Sequence, residues 1–168
     1  MTRVMPSRDE LLAVLDEVKD PEVPVVSVVE LGVVRDVVVE GDAVVVTITP
    51  TYSGCPAMRE IEQEIERALL AHGVERVRIR TVYAPAWTTD WIGPAAREKL
   101  RAYGIAPPGN APAADDDLVP LRRKRDVVAC PYCGSANTTL RSEFGSTSCK
   151  TIRFCNACHQ PFEQFKAI

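Results

Sequence analysis

The spacing of apolar residues predicts a helix near the start of the chain. Ser7 and Glu10 have the spacing of a capping box, in which each side chain accepts a hydrogen bond from the other residue's backbone N–H. The apolar residues that follow recur three and four positions apart, as on one face of a helix: Leu11, Leu12, Val14, Leu15 and Val18. The helix is expected to end before Asp20-Pro21.

Two valine-rich runs after this helix predict a β-hairpin. Residues 33–40 and 43–49 flank Gly41-Asp42, a dipeptide suited to a tight turn. The runs are dense in valine and do not alternate strictly with polar residues. This density indicates a sheet that is covered on more than one side.

Beyond the hairpin, the pattern predicts a second helix and a third strand. The helix has Cys55 as its N-cap and Pro56 at its first position, and it stops at Gly73. Its apolar stripe consists of Met58, Ile61, Ile65 and Leu69. Residues 74–82 then alternate Val77 and Ile79 with three arginines, as expected for a strand.

The last predicted element of this region is a short third helix over residues 93–103, closed by Gly104. The order helix, strand, strand, helix, strand, helix predicts an α+β fold, in which a small α/β sandwich spans residues 1–105. Residues 106–125 are rich in proline, alanine and aspartate and are expected to form a linker. Residues 126–168 hold all four phenylalanines and are expected to form a small β-rich metal-ribbon module.

Charge is divided unevenly along the chain of 168 residues, whose net charge is −3. Residues 1–121 hold 12 basic and 20 acidic side chains, whereas residues 122–168 hold 8 basic and 3 acidic ones. The basic tail, with its RRKR run at 122–125, could bind an acidic partner or nucleic acid. The alternative is that this run is a solvated edge of the linker.

The N-terminal sequence has neither the apolar core nor the small-residue cleavage pattern of a signal peptide. The longest apolar run, residues 25–34, is short and interrupted by Ser27 and Glu30, so no membrane association is expected. We therefore expect a cytoplasmic protein. In a reducing compartment, its six cysteines favour metal ligation or thiol chemistry over disulfides.

Four of the cysteines have the spacing of a metal site. Cys130 and Cys133 form one C-x-x-C knuckle, and Cys155 and Cys158 form a second one after 21 intervening residues. Two such knuckles can supply a tetrahedral shell of four thiolates. Zinc is the favoured metal, and iron or an iron–sulfur cluster is the alternative.

Two further residues lie close to the knuckles in the sequence. Cys149 is either a fifth ligand or a small buried residue. His159 follows Cys158 directly, but four cysteines already complete a tetrahedral shell, so we do not expect it to coordinate the ion.

Cys55 stands apart from the other cysteines, in the segment TPTYSGCP. At the start of a helix, free backbone N–H groups and the helix dipole favour a thiolate, so Cys55 could bind a metal or act as a nucleophile. Asp20 and Glu22 could meet it in one pocket, or they could be exposed turn residues. His72 is placed at the far end of the same helix, so a cysteine–histidine mechanism lacks a visible base.

Five segments carry a family resemblance: DPEVP (20–24), VVELGVV (28–34), TPTYSGCPAM (49–58), APAWTTDWIG (84–93) and REKLRAYGIAPP (97–108). In this order they resemble the SufT-type domain of iron–sulfur assembly. Fusion to the segment CPYCGS–FGSTSCK–CNACHQPFEQFK resembles the PaaD family, also called PaaJ, whose members are accessory subunits of the phenylacetyl-CoA epoxidase system.

The resemblance implies an accessory or maturation subunit of 1,2-phenylacetyl-CoA epoxidase, which would act in aerobic phenylacetate catabolism without being the catalytic subunit. Its expected partners are the oxygenase and reductase subunits or iron–sulfur assembly proteins. Cys55, with Asp20, becomes the candidate for handling iron or a cluster, and the knuckle cysteines become the candidates for a structural metal.

Two other classes of function stay open at this point. One is a zinc-ribbon adaptor that binds nucleic acid or protein, although the tail's aromatic residues favour a packed core and no nucleic acid is expected. The other is a thiol enzyme that acts through Cys55.

Overall fold

The structure is a computed structural model that describes residues 5–109 and 127–168. The chain folds into two compact units, Met1–Trp87 and Thr88–Ile168. Within the described ranges, none of the helices has the length and apolar character needed to cross a membrane.

The first unit contains two helices and a three-stranded sheet: α1 (Arg8–Glu17), β1 (Val34–Glu40), β2 (Ala43–Ile48), α2 (Met58–Ala71) and β3 (Arg76–Thr81). β2 is the central strand, antiparallel to β1 and parallel to β3. The order of elements agrees with the α+β prediction for this part of the chain.

Local sequence signals explain the first helix and the hairpin. The predicted capping box is present at Ser7, whose N–H donates to the Glu10 carboxylate at 2.7 Å. Gly41 has φ +65°, a left-handed conformation that glycine adopts without strain, and it closes the hairpin as predicted. Val44 and Val45 point to opposite faces of β2 and are both buried, so the valine-rich strand is covered on both sides.

The second unit contains a short 3₁₀ turn and a four-stranded sheet. Its elements are the turn Thr89–Trp91, α3 (Pro94–Ala102), β4 (Ile105–Ala106), β5 (Thr138–Ser142), β6 (Lys150–Cys155) and β7 (Pro161–Phe165). The strand order is β4-β7-β6-β5, in which β4 runs parallel to β7 and the other neighbours are antiparallel.

The division between the units therefore lies before the third helix, whereas the sequence predicted a boundary at residue 105. Ile105 pairs with Glu163 and Ala106 with Gln164, so the end of the predicted first domain is a strand of the C-terminal sheet. Gly104 lies against the ring of Tyr132, and a β-carbon at Gly104 would come within 2.7 Å of the Tyr132 hydroxyl oxygen. Most of the predicted linker, including the acidic run and RRKR, lies outside the described residues.

Arg97 holds the segment before the C-terminal sheet in place. Its guanidinium donates to three backbone carbonyls, those of Ile92 at 3.0 Å, Pro108 at 2.6 Å and Thr89 at 2.9 Å. One side chain thus joins the 3₁₀ turn to the residues that follow β4. No local pattern predicts this role, because the three acceptors are backbone atoms.

Replacing Arg97 with Met should destabilise the second unit, because three partly buried carbonyls lose a charged donor. We expect a loss of about 2 kcal/mol in the free energy of unfolding, measured by thermal or urea unfolding. Arg101→Met is the matched control, since Arg101 is exposed and pairs with the exposed Glu98. Equal losses in both variants would contradict the role assigned to Arg97.

Candidate functional site

The four knuckle thiols form one compact cluster. The sulfurs of Cys130 and Cys158 are 3.7 Å apart, those of Cys133 and Cys155 are 3.6 Å apart, and all four lie within 4.8 Å of one another. A tetrahedral ion with metal–sulfur bonds of about 2.3 Å requires sulfurs about 3.8 Å apart. The donor set and its spacing therefore fit a tetrahedral metal ion.

The two knuckles share one backbone conformation. The N–H of Gly134 donates to the carbonyl of Cys130 at 2.9 Å, and the N–H of His159 donates to the carbonyl of Cys155 at the same distance. Gly134 has φ +73° and His159 has φ +60°, so each turn ends on a left-handed residue. This conformation curls both thiols of a knuckle toward the same point.

Each knuckle is also closed at its base. The N–H of Cys130 donates to the carbonyl of Ser135 at 2.9 Å, and that of Cys155 donates to the carbonyl of Gln160 at 3.0 Å. Because β6 ends at Cys155, the second knuckle is the turn that joins β6 to β7. The sheet thus positions Cys155 directly and Cys158 through this turn.

The surroundings of the cluster favour a thiolate at one position and oppose it at another. The backbone N–H groups of Cys158 and Ala157 lower the pKa of Cys155 to about 6. Burial raises the pKa of Cys158 to about 12. A bound cation would make all four thiolates favourable, because ligation to a metal deprotonates a thiol.

A small apolar core lies behind the cluster. Cys130 and Cys155 are buried together with Ala106, Val128 and Phe162, and Cys158 packs against this group. Cys133 is exposed, so one ligand of the cluster faces solvent. The core is too small to stabilise the ribbon alone, and a structural metal would supply much of the remaining stability.

Cys149 and His159 do not belong to the four-thiol cluster. Cys149 is buried, and its sulfur lies 3.0 Å from the hydroxyl oxygen of Thr147. The ring centroid of His159 is 6.3 Å from that of Phe154. The alternative that treats Cys149 as a small buried residue therefore agrees with the structure.

An ion pair between β6 and β7 of the ribbon, with a buried lysine, was not anticipated from the sequence. The Lys150 ammonium lies 3.2 Å from the Glu163 carboxylate, and the Lys150 side chain is only 3% exposed. Burial opposes the charged form of Glu163, but the Ser146 N–H and Lys150 hold the pKa of Glu163 below its usual value. The sequence feature that could have indicated this ion pair is a lysine inside a strand, next to the buried Cys149.

Cys55 lies on the loop that enters α2, but it is not the N-cap. The N-cap is Ala57, whose carbonyl accepts the first helical hydrogen bond from Ile61 at 2.9 Å. Cys55 precedes it by two residues, and its carbonyl accepts a hydrogen bond from the N–H of Met58 at 3.3 Å. The predicted cap was wrong because Pro56 and Ala57 form a separate turn ahead of the helix. The Cys55 side chain is partly exposed.

Asp20 is buried, contrary to the alternative of an exposed turn residue. Its carboxylate accepts hydrogen bonds from the N–H groups of Glu22 at 2.9 Å and Val23 at 2.8 Å, which fixes the turn after α1. The meeting of Asp20 with Cys55 stays a prediction.

Trp87 is a core residue whose indole N–H donates to the carbonyl of Leu31 at 2.9 Å.

His72 follows the last residue of α2, whereas Cys55 precedes its first turn. The helix has 14 residues and is therefore about 20 Å long. His72 cannot serve as the base for Cys55 across this distance, as expected from the sequence. This arrangement disfavours a thiol enzyme that uses a Cys55–His72 pair.

Two family models match the chain, one in each part. Residues 8–85 match an iron–sulfur cluster assembly protein, and residues 114–166 match a PaaD zinc beta ribbon domain. A crystal structure titled "Domain of Unknown Function DUF59", from Bacillus anthracis, covers 55% of this chain and 90% of its own, with a TM-score of 0.52 and 30% identity. The protein is thus an iron–sulfur-assembly-type domain joined to a four-cysteine zinc-ribbon module.

Similarity over almost the whole chain identifies the protein family. The chain is 44% identical, over 97% of its length and 94% of the relative's, to an Escherichia coli protein named as one subunit of a "Putative 1,2-phenylacetyl-CoA epoxidase". It is 34% identical to the Fe-S protein maturation auxiliary factor YitW of Bacillus subtilis, over 55% of this chain and 92% of that protein. This chain belongs to the PaaD family.

Removing one knuckle ligand should remove the metal. We expect the parent protein to purify with a metal and Cys155→Ser to lack it and to unfold the ribbon at a lower temperature, because three thiolates and a hydroxyl bind a soft ion weakly. Metal content by elemental analysis and thermal unfolding measure both effects. Cys149→Ser should keep the metal, and a loss of metal from this control would show that Cys149 is a ligand.

The left-handed residues of the two knuckles should respond oppositely to substitution. His159→Gly should stabilise the ribbon by up to about 1 kcal/mol, because glycine adopts positive φ without a β-carbon clash. Gly134→Ala should destabilise it by about 1 kcal/mol for the converse reason. Both effects are measured by thermal unfolding of the metal-loaded protein. If His159→Gly instead loses the metal, the imidazole is a ligand.

Proposed function

We propose that this protein is an accessory subunit of a 1,2-phenylacetyl-CoA epoxidase and helps to supply iron or an iron–sulfur cluster to that enzyme. The observation that carries the proposal is the similarity to a protein named as an epoxidase subunit, which extends over both units and almost the whole of each chain. A shared single domain would not support such an assignment, because domains of one fold serve many functions.

The two parts of the chain suggest two roles. Residues 8–85 match the assembly family, and the relative named as a maturation factor covers about half of this chain, so the first unit is assigned the maturation step. The ribbon then distinguishes this chain from such factors, and we assign it to holding the protein on its target complex. The expected targets are the oxygenase and reductase subunits, or iron–sulfur assembly proteins.

Zinc is the metal that we assign to the ribbon. Four cysteine thiolates complete a tetrahedral shell and leave no open position for a substrate, as is usual for structural zinc. The matched family model describes a zinc ribbon. An iron-loaded ribbon would absorb visible light and a zinc-loaded one would not, so a spectrum of the purified protein separates the two metals.

Cys55 is the residue that we assign to iron or cluster handling, with Asp20 as a second candidate ligand. Cys55 is a partly exposed residue on a loop, which supports access by a partner or an ion. Asp20 is already bound to two backbone N–H groups through one oxygen.

Cys55→Ser should abolish the accessory function without changing the fold. In cells that co-express this chain with the oxygenase and reductase subunits, we expect epoxidation of phenylacetyl-CoA to fall to the level found without this chain. The iron content of the purified reductase and oxygenase should fall with it. The reason is that a hydroxyl is a far weaker ligand than a thiolate for iron or a cluster.

Cys149→Ser is the matched control, since it changes the same atom type at a position outside the cluster. It should leave epoxidation and iron content unchanged. Full activity and normal iron content with Cys55→Ser would contradict the role of Cys55. Turnover of an added thiol-reactive substrate in the absence of metal would instead favour a thiol enzyme.

A further inference from the structure

The outer side of β3 is an open sheet edge. β3 pairs only with β2 within the described residues, and the N–H of Val82, just after β3, donates to the carbonyl of Ile48 at 2.9 Å. Because peptide groups alternate in direction along a strand, those of Val77, Ile79 and Thr81 point away from β2. An unpaired row of this kind is a template for one more strand.

A row of arginines follows this edge. Arg76, Arg78 and Arg80 alternate with the apolar residues of β3 and are exposed. Arg76 pairs with Asp42 at 2.9 Å. Arg78 and Arg80 have no carboxylate within ion-pair distance in the part of the chain that the structure describes. The edge therefore presents two arginines that are available to an anionic partner.

The face of β3 that carries Val77 and Ile79, opposite the face that carries the arginines, lies beside a cleft. The cleft has a volume of about 360 Å³ and lies between β3 and α2. Val77 and Ile79 form its apolar side, and the polar side chains of α2 line the rest: Arg59, Glu62, Gln63 and Glu66. Thr81 is tied to the Glu62 carboxylate across this cleft at 3.4 Å. An apolar side chain placed beside β3 would find an apolar surface there.

We propose that this edge binds an extended segment of a partner protein, in which acidic residues alternate with apolar ones, as a fourth strand of the sheet. Side chains of a strand alternate between the two faces of a sheet. In the added strand, one set would lie beside Arg78 and Arg80 and the other beside Val77 and Ile79. Main-chain hydrogen bonds would provide affinity, and the two sets of side chains would provide specificity.

Charge disfavours two other occupants. A second copy of this chain that paired through its own β3 would place arginines opposite arginines, which is destabilising. A nucleic acid would bring its phosphates toward Glu62 and Glu66 of the cleft, and it could not use the open peptide groups as a regular ladder. The proposal goes beyond the proposed function and does not depend on Cys55.

The test uses the full-length, metal-loaded protein and a blocked peptide of alternating aspartate and valine as the probe. Titration calorimetry measures binding, and hydrogen exchange measures protection of the amides of Val77, Ile79 and Thr81. We expect saturable binding and slower exchange at these three amides. Arg78→Glu should weaken binding about tenfold, because it replaces an attraction with a repulsion.

Arg67→Glu is the matched control, since it makes the same charge change at an exposed residue of α2 that does not line the cleft. It should bind the probe as the parent protein does, and so should Cys55→Ser. Two further peptides carry N-methyl groups on the aspartates only or on the valines only. In one of these peptides the methyl groups replace the N–H hydrogens that would face β3. We therefore expect only the other peptide to bind.

Several results would overturn the proposal. These are an absence of binding at millimolar peptide, equal binding by the parent and Arg78→Glu, and equal binding by the two N-methylated peptides. Displacement of the probe by a single-stranded oligonucleotide would identify a nucleic-acid surface instead. Concentration-dependent dimerisation that protects the same amides would identify a second copy as the occupant.

Discussion

Repulsion among four thiolates is the constraint on which the C-terminal unit depends. Their sulfurs lie within 4.8 Å of one another, close to a small apolar core, so they can all be charged only around a cation. Cys130 and Cys133 precede the first strand of the ribbon, whereas Cys155 ends β6 and Cys158 lies in the next turn. An ion bound by all four would therefore fix one end of the β5–β6 pairing, where Thr138 lies opposite Cys155, and the turn into β7. The bound ion would therefore both neutralise the four thiolates and set the register of the strands.

The sheet behind this cluster takes part of its structure from the middle of the chain. β4 pairs with β7, and Arg97 joins the turn at Thr89 to the carbonyl of Pro108, so residues 88–109 form the edge that a ribbon of this size would otherwise expose. This explains why the structural division precedes the third helix. A ribbon with a covered edge has a larger buried surface, and it relies on the metal for a smaller share of its stability.

Features that depend on neighbouring residues could be predicted from the sequence. The capping box at Ser7, the turn at Gly41 and the two C-x-x-C knuckles are set by spacings of a few residues, and the structure contains all of them. Features that depend on distant partners could not. The pairing of β4 with β7 joins residues far apart in sequence, and Arg97 binds backbone carbonyls, which every residue carries. The start of α2 was misplaced by two residues because Pro56 suits both a first helical position and a turn.

The two sulfur environments differ in the number of donors that they offer, and this difference bears on function. Four thiolates in a closed shell hold an ion tightly and leave no position for exchange, which suits a structural role. Cys55 offers one sulfur on a partly exposed residue, and within the described residues it belongs to no cluster of three or more metal-ligating side chains. A cargo held by so few ligands is bound weakly and can pass to an acceptor that supplies more of them. Under the proposed function, Cys55 would be such a weak site, and the four-thiolate site would keep the ribbon folded while the cargo leaves.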